Sequence, residues 1–145
     1  MTWRIEPAAE ELFAEIATWR YDPPYDFYDG DPEPVLNPER FFQVLDENDD
    51  LVGFLYFEQR GDTLEYGLGL RPELTGRGLG LEFFQLGLEF GRERYRPARV
   101  VTNVAEFNER ARKIYERAGF RVTGRRIRDF ARGGAVAFLD LEEQR

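Results

Sequence analysis

The segment Leu70-Arg71-Pro72-Glu73-Leu74-Thr75-Gly76-Arg77-Gly78-Leu79-Gly80 places three glycines at the predicted start of a helix. Glycine lets backbone N–H groups come close to a ligand, and the first N–H groups of a helix have no partners inside it. The helix dipole favours an anion at this end, and Arg77 adds a positive charge. We therefore expect a turn that binds phosphate, although glycines also serve tight turns and close packing.

Two familiar nucleotide motifs do not fit this turn. A P-loop needs Gly-Lys followed by Ser or Thr, and that sequence is missing here. A dinucleotide fingerprint needs a βαβ unit, whereas the neighbouring strands are predicted to be antiparallel. A pyrophosphate remains the natural ligand of the turn.

A second segment, residues 108–120, combines a helix cap with an inward-facing tyrosine. Asn108 is a typical N-cap residue, and Gly119 suits the left-handed cap at the other end. The apolar residues on the same helical face as Tyr115 are Ala111, Ile114 and Ala118. Tyr115 is therefore predicted to point inward, either as a core aromatic or as a functional hydroxyl.

The composition limits the chemistry that these segments can perform. The chain of 145 residues has no Cys and no His, which excludes disulfides, thiolate nucleophiles and the commonest general base. Proton transfer is left to Glu, Asp, Tyr, Lys, a backbone group or water. We expect no metal site, no signal peptide and no membrane span, and a cytoplasmic location by default.

Charge is distributed unevenly along the chain. Residues 1–70 carry 17 acids and 4 bases, whereas residues 71–145 carry 11 acids and 16 bases. The overall charge of −8 argues against general nucleic-acid binding. The opposite signs of the two halves suggest two ligands of opposite charge, and uneven surface solvation is the alternative.

The chain length fits one domain over residues 1–145, and the order of the predicted elements indicates an α+β fold. The strands are predicted at 3–5, 41–46, 51–59, 64–70, 99–103, 120–129 and 135–141. The helices are predicted at 8–19, from 79 to about 94, and at 108–118, while the aromatic segment 21–32 is largely irregular and Gly133-Gly134 lies in or near the last hairpin. The result is a mixed, mostly antiparallel sheet of about seven strands with helices on both faces.

The two segments together resemble the GNAT (GCN5-related N-acetyltransferase) superfamily. The first family motif is Arg or Gln, two residues, Gly, one residue, then Gly or Ala, and residues 75–80 match it except at Thr75. Leu68-Gly69-Leu70-Arg71-Pro72 resembles the end of the fourth strand of the family. Asn108, Ala111, Tyr115 and Gly119-Phe120 have the spacing of the second signature. The resemblance spans about residues 41–130.

The resemblance implies a GNAT-like fold and transfer of an acetyl group from acetyl-CoA to a primary amine. The implied cofactor-binding residues are Leu68, Gly69, Leu70, Thr75, Gly76, Arg77, Gly78, Leu79, Gly80 and Asn108. In the family the fourth strand pairs with the pantetheine arm, and its N–H groups near Leu68 to Leu70 would hold the oxyanion. Tyr115 would act as the general acid that protonates the leaving thiolate.

The general base is left open by the sequence. Glu65 is the first candidate, because many relatives carry Glu seven residues before the position of Pro72. It shares a strand face with Gly67 and Gly69, whose small size is expected to leave room for a ligand. A solvent-facing carboxylate is the alternative, and water, Glu58 or Tyr66 are other candidates.

The acceptor is predicted to lie near the aromatic segment. Aromatic rings and carboxylates bind cations, so a small cationic amine, a polyamine or a basic peptide end would fit. The aromatic residues are Trp19, Tyr21, Tyr25, Phe27 and Tyr28, and the acids are Asp22, Asp26, Asp29 and Asp31. The residues predicted to contact the acceptor are Tyr21, Tyr25, Tyr28 and Asp26. Alternatively, the rings cover the core and the acids solvate a loop.

Two other functions remain compatible with the sequence. One is a catalytically degenerate module that binds acyl-CoA or regulates another protein, and the other is a different nucleotide or phosphate binder. Many relatives dimerise, so a homodimer is compatible too, but no segment identifies an interface. The acyl length is also open.

Overall fold

Seven strands and three α-helices occupy the part of the chain that a computed structural model describes. That part is residues 2–29, 37–130 and 134–144, with Phe130 described by its backbone. The strands are β1 (Arg4–Pro7), β2 (Phe41–Leu45), β3 (Leu51–Arg60), β4 (Thr63–Leu70), β5 (Arg99–Ala105), β6 (Phe120–Phe130) and β7 (Gly134–Glu143). The helices are α1 (Glu10–Ile16), α2 (Gly80–Tyr95) and α3 (Glu109–Arg117).

The strands form one sheet in the order β1-β2-β3-β4-β5-β7-β6. β2 runs antiparallel to both β1 and β3, and β7 runs antiparallel to both β5 and β6. β4 and β5 pair in parallel, with Thr63 opposite Arg99. The predicted α+β class with a mostly antiparallel seven-stranded sheet is confirmed.

The chain divides into two compact units. Unit 1 is Met1–Tyr56 together with Leu68–Leu79, and unit 2 is Phe57–Gly67 together with Gly80–Arg145. Each unit has buried apolar residues of its own. The prediction of a single domain stays a prediction.

Unit 1 has an aromatic core. The Phe13 ring of α1 meets the Phe41 ring of β2 edge-on at 5.3 Å, and Trp19 stacks on Phe54 at 6.0 Å. Trp19 is only 6% exposed, so it belongs to this core. This packing agrees with the alternative that aromatic residues of this region cover the core.

Helix α1 is shorter than its periodicity predicts. It ends at Ile16, and the hydroxyl of Thr18 donates to the carbonyl of Glu15 at 2.6 Å. Threonine commonly competes with a helix in this way, because its hydroxyl bonds nearby backbone groups. The side chain of Asp29 closes the following segment by accepting the backbone N–H of Tyr21 at 2.8 Å. Within it Tyr25–Tyr28 forms a 3₁₀ turn, and Asp31 lies outside the described residues.

Unit 2 packs α2 against its strands. A Cβ on Gly91 would lie 2.6 Å from the Phe57 ring and 3.1 Å from Leu64, so glycine allows the close approach. The Tyr66 ring stacks on Phe57 at 5.2 Å with an interplanar angle of 7°. The predicted long helix is confirmed to within one residue at each end.

Arginine–carboxylate pairs join the strands at the surface of unit 2. The pairs are Arg99–Glu142, Arg125–Glu106 and Arg126–Asp140. The Arg125 guanidinium lowers the pKa of Glu106 by hydrogen bonding, and Arg99 lowers the pKa of Glu142 in the same way. Because these pairs are exposed to solvent, each is expected to add little stability.

Candidate active site

The turn that precedes α2 adopts a backbone shape suited to glycine. Gly76 has φ of 73° and Gly78 has φ of 76°, which lie in the left-handed region. A Cβ on Gly78 would meet nothing within 4 Å among the described residues. Gly78 is therefore required for conformation, and the space beside it is open, as a turn that binds an anion needs.

Thr75 and Arg77 have different surroundings in this turn. The Thr75 hydroxyl donates to the Pro72 carbonyl at 2.7 Å, so it closes the 3₁₀ turn Pro72–Leu74. Arg77 is exposed and forms no ion pair with any residue that the structure describes. Arg71, in contrast, contacts Glu73 at 2.5 Å and the Leu51 carbonyl at 3.1 Å. Of Arg71 and Arg77, Arg77 is thus the one whose guanidinium is available to an anion at this turn.

The end of β4 contains a packed glycine. A Cβ on Gly69 would lie 2.2 Å from Cε1 of Phe54, because the Phe54 ring rests directly on the glycine backbone. The expectation that Gly69 leaves room for a ligand on its face was therefore wrong. The Phe54 ring fills that space within unit 1.

Tyr21 supports the same strand end. Its hydroxyl donates to the Leu70 carbonyl at 2.7 Å. Burial raises the pKa of Tyr21, and the negative charges of Asp29 and Glu73 raise it further. The phenol therefore stays protonated and keeps donating. Tyr21 was predicted to contact the acceptor, and the structure instead commits its hydroxyl to the backbone of β4.

The other predicted acceptor residues lie in the 3₁₀ turn Tyr25–Tyr28. The rings of Phe27 and Tyr28 meet edge-on at 5.2 Å, and Tyr28 is 37% exposed. Asp26 is exposed, whereas Tyr25 is half-buried. Tyr28 and Asp26 thus present an aromatic ring and a carboxylate at the surface of unit 1.

Asn108 forms the predicted N-cap in unit 2. Its carboxamide oxygen accepts the Ala111 N–H at 3.1 Å, and its backbone N–H donates to the Ala105 carbonyl at 2.9 Å. Such a cap typically contributes about 1 kcal/mol to helix stability. At the other end of α3, Gly119 has φ of 100°, as predicted for the left-handed cap.

Tyr115 points inward from α3, as predicted. Its half-buried ring stacks on Phe84 of α2 with centroids 4.5 Å apart and an interplanar angle of 27°. The Phe120 ring also meets the Phe84 ring edge-on, with centroids 5.3 Å apart. The Tyr115 ring therefore packs against a cluster of buried aromatic rings.

Gly80 brings α3 close to the first turn of α2. A Cβ on Gly80 would lie 2.6 Å from Cδ1 of Ile114. Phe84 follows Gly80 by four residues, so the two occupy the same face of α2 one turn apart. The neighbouring residues Ile114 and Tyr115 thus rest on two successive turns of one helix.

The candidate bases differ in their surroundings. Glu65 lies 3.9 Å from Arg60, which also bonds Glu58 at 2.6 Å, and the Glu65 side chain is 28% exposed. Glu65 therefore belongs to a chain of alternating charges. Tyr66 is fully buried, its hydroxyl donates to the Phe84 carbonyl, and burial raises its pKa well above the ordinary value. Its suggestion as a base was wrong, because a buried donor of this kind does not accept a proton.

A sequence model of the Acetyltransferase (GNAT) family matches residues 6–120. This chain belongs to the GNAT acetyltransferase family. The match includes the glycine turn and all of α3, the two segments that carry the resemblance in the sequence.

Relatives of this GNAT chain include a curated protein and several solved structures. Mycothiol acetyltransferase of Mycolicibacterium gilvum (strain PYR-GCK) is 36% identical over 95 residues, which are 61% of this chain and 31% of that protein. The chain thus spans about a third of that relative. Spermidine N-acetyltransferase from Vibrio cholerae, solved with CoA and spermine, has a TM-score of 0.77 at 15% identity, covering 97% and 94% of the two chains. A GNAT acetyltransferase from Bacillus anthracis has a TM-score of 0.72 at 18% identity, covering 97% and 93%.

No helix among the described residues is long and apolar enough to span a membrane. Over the same ranges, no group of three or more acidic side chains is arranged to hold a metal ion.

Phe84 was not identified as a site residue from the sequence, and Tyr66 was named there only as an alternative base. Periodicity places both in the core, and the spacing of four from Gly80 places Phe84 on the same face as that glycine. Nothing in the sequence indicates that α3 packs on this face, since that contact is tertiary.

Proposed function

We propose that this chain is an N-acetyltransferase that transfers an acetyl group from acetyl-CoA to a primary amine. The family match over residues 6–120 carries the proposal. In the reaction a C–N bond forms and the C–S bond breaks. The amine loses one proton and the leaving thiolate gains one, giving an N-acetylamine and free CoA.

The residues of the glycine turn fit a phosphate group. Gly76 and Gly78 hold left-handed backbone conformations, the side of Gly78 is open, and Arg77 is exposed. Turns of this kind expose successive N–H groups that bind anions. We assign the cofactor phosphates to Gly76, Arg77, Gly78, Leu79 and Gly80. Thr75 would act by closing the preceding 3₁₀ turn.

Leu68, Gly69 and Leu70 are assigned to the pantetheine arm through their backbone. The Tyr21 hydroxyl and the Phe54 ring fix this strand end in place, which supports a preorganised backbone. Asn108 contributes indirectly, since its side-chain oxygen holds the first turn of α3.

Tyr115 is assigned the role of general acid toward the thiolate. Its ring is fixed by stacking on Phe84, so the direction of the phenol is defined. The base is assigned to Glu65 or to a water molecule. The Arg60 guanidinium lies 3.9 Å from the Glu65 carboxylate.

The acceptor is proposed to be a cationic amine. The excess of acids over bases in residues 1–70 and the exposed pair of Tyr28 and Asp26 support this choice. The Vibrio cholerae enzyme of the same fold was solved with spermine, a polyamine. We therefore name spermidine and spermine as the first acceptors to test.

The proposal is tested by measuring thiol release from acetyl-CoA against a panel of amines. The panel contains spermidine, spermine, glucosamine, a basic peptide and glycinamide as a weakly charged control. We expect amine-dependent release that is faster with the polycations. Thermal stabilisation by acetyl-CoA but not by ATP, with no thiol release for any amine, would instead favour a module that only binds acyl-CoA.

Replacement of Tyr115 by Phe tests the general-acid role. We expect kcat to fall by about 100-fold, with an unchanged Kd for acetyl-CoA, because only the transferred proton is lost. Glu65→Gln, measured in parallel over a range of pH, distinguishes the carboxylate from water as the base. An unchanged kcat in the Tyr115 variant removes Tyr115 from the chemistry.

A further inference from the structure

We propose that Tyr66 is a positioning residue for Tyr115 and acts on it through Phe84. The inference rests on the proposed function, because it concerns how the general acid is held. All three residues belong to unit 2, so the contacts between them lie within one compact unit.

Tyr66 is anchored at both ends. Its hydroxyl donates to the Phe84 carbonyl at 2.9 Å, and its own carbonyl accepts the Thr102 hydroxyl at 2.7 Å. Tyr66 is 1% exposed and Phe84 is fully buried. The hydrogen bond to Phe84 therefore links β4 to the second turn of α2 in a place that water does not reach, where such bonds are strong.

Phe84 connects Tyr66 to the proposed general acid, Tyr115. Its ring centroid lies 5.1 Å from that of Tyr66 and 4.5 Å from that of Tyr115. The three aromatic rings form a continuous series. A shift of Phe84 relative to β4 would therefore move the ring against which the Tyr115 ring stacks.

The positioning bond does not titrate over the working pH range. Burial raises the pKa of Tyr66 well above its usual value, and Tyr115 adds a smaller effect in the same direction. The Tyr66 hydroxyl thus remains a neutral donor while the protein is folded. Because its pKa is raised, the Tyr66 phenol is not ionised to serve as a base and does not readily release its proton as an acid.

Phenylalanine would fill nearly the same space as Tyr66. The stacking on Phe57 and the contact with Phe84 need only the ring, so the hydroxyl is the single group that a Tyr66→Phe change removes. A tyrosine at this buried site is thus explained by its bond to Phe84 better than by volume.

A double-mutant cycle tests the inference with acetyl-CoA and spermidine as probes. Tyr66→Phe is expected to lower kcat about fivefold to tenfold and to leave the KM for acetyl-CoA unchanged, because small misplacement of a catalytic group is costly. In a Tyr115→Phe background the same change should have no further effect on kcat. Tyr95→Phe is the matched control, since Tyr95 packs on the same Phe57 ring at 5.4 Å. An equal loss from Tyr66→Phe in both backgrounds would overturn the inference.

A second measurement is independent of turnover. In ¹⁹F NMR of protein labelled with 3-fluorotyrosine, the Tyr115 signal is assigned by its loss in Tyr115→Phe. We expect this signal to move or broaden in Tyr66→Phe and to stay unchanged in Tyr95→Phe. An unchanged signal in Tyr66→Phe contradicts the positioning role even if no amine is acetylated. If Tyr115→Phe has full activity while the signal moves, the general-acid proposal fails and the physical coupling stands.

Discussion

The glycines of the open turn and the glycines of the packed contacts have different physical roles. Gly78 has a left-handed backbone and no neighbour within 4 Å of its missing Cβ among the described residues. Gly69 and Gly80 leave space that a Phe54 ring and an Ile114 methyl group occupy. The same residue type thus serves conformation at one position and close approach at the others.

This difference affects how the glycine motif is interpreted. Glycine is needed at these positions for different reasons, since only the left-handed residues Gly76 and Gly78 shape the turn that is assigned to phosphate. Gly80 instead determines how closely α3 approaches α2. A substitution at each position should therefore have a distinct signature, and a second substitution should rescue only the packed positions.

The largest effect is expected for Gly69→Ala. The new methyl group would overlap the Phe54 ring, which is itself packed between Trp19 and Phe41. We expect the free energy of unfolding to fall by about 3 kcal/mol, as measured by urea denaturation. Phe54→Leu should recover part of that loss in the double variant, although it is destabilising alone. Strictly additive losses would show that the ring contact is not the cause.

Gly78→Val is expected to have the next largest effect. A β-branched residue at φ of 76° costs about 2 kcal/mol, whereas Gly78→Asn should cost much less because Asn tolerates this region. Thermal melting of the two variants measures the difference. Equal stability of the Val and Asn variants would contradict a conformational role for this glycine.

Gly80→Ala is expected to destabilise the protein by about 1 kcal/mol. The effect is smaller than at Gly69 because the Ile114 Cδ1 atom is the mobile end of a side chain. Ile114→Val removes that atom, so the double variant should regain the lost stability. As a control, Ile114→Val should not restore stability to a Gly78 variant. If Ile114→Val also fails to restore stability to Gly80→Ala, the contact with Ile114 is not the cause of the loss.

The smallest effect is expected for the exposed ion pairs, which provide a contrast in pH dependence. The pKa values of Glu106 and Glu142 are lowered in the folded state, below the ordinary value of 4.5. Their contribution is present above that value and is lost as pH falls through the folded pKa. Glu142→Gln should therefore lower Tm slightly at pH 7 and by less as the pH falls through the folded pKa, whereas the loss from Gly69→Ala should be similar at every pH. A pH-dependent loss from Gly69→Ala would break the contrast.

Much of the fold was predictable because it depends on local pattern. The strands from 41 to 70 alternate or are apolar between turn residues, and each boundary of α2 was predicted within one residue. Helix α1 was predicted too long, because Trp19 continues the apolar spacing although the helix has ended. Periodicity identifies a face, and side-chain competition with the backbone decides where the helix stops.

The candidate site was predictable only in part. Asn108 as an N-cap and Tyr115 as an inward residue follow from position on α3 and are confirmed. The expectation of an open face beside Gly69 was wrong, because the Phe54 ring of another strand fills that space. Tyr21 was assigned to the acceptor from the composition of its segment. In the structure its hydroxyl instead donates to a backbone carbonyl 49 residues away in sequence.

The sequence by itself determined the available chemistry and the local backbone. Without His or Cys, proton transfer falls to Tyr, carboxylates or water, and Gly76 and Gly78 permit the left-handed backbone that the turn adopts. Only the tertiary structure decided that Gly69 and Gly80 are filled by neighbours and that Tyr66 reaches Phe84. Local conformation depends on a few adjacent residues, whereas close packing and buried hydrogen bonds depend on strand register and helix docking between residues far apart in the chain.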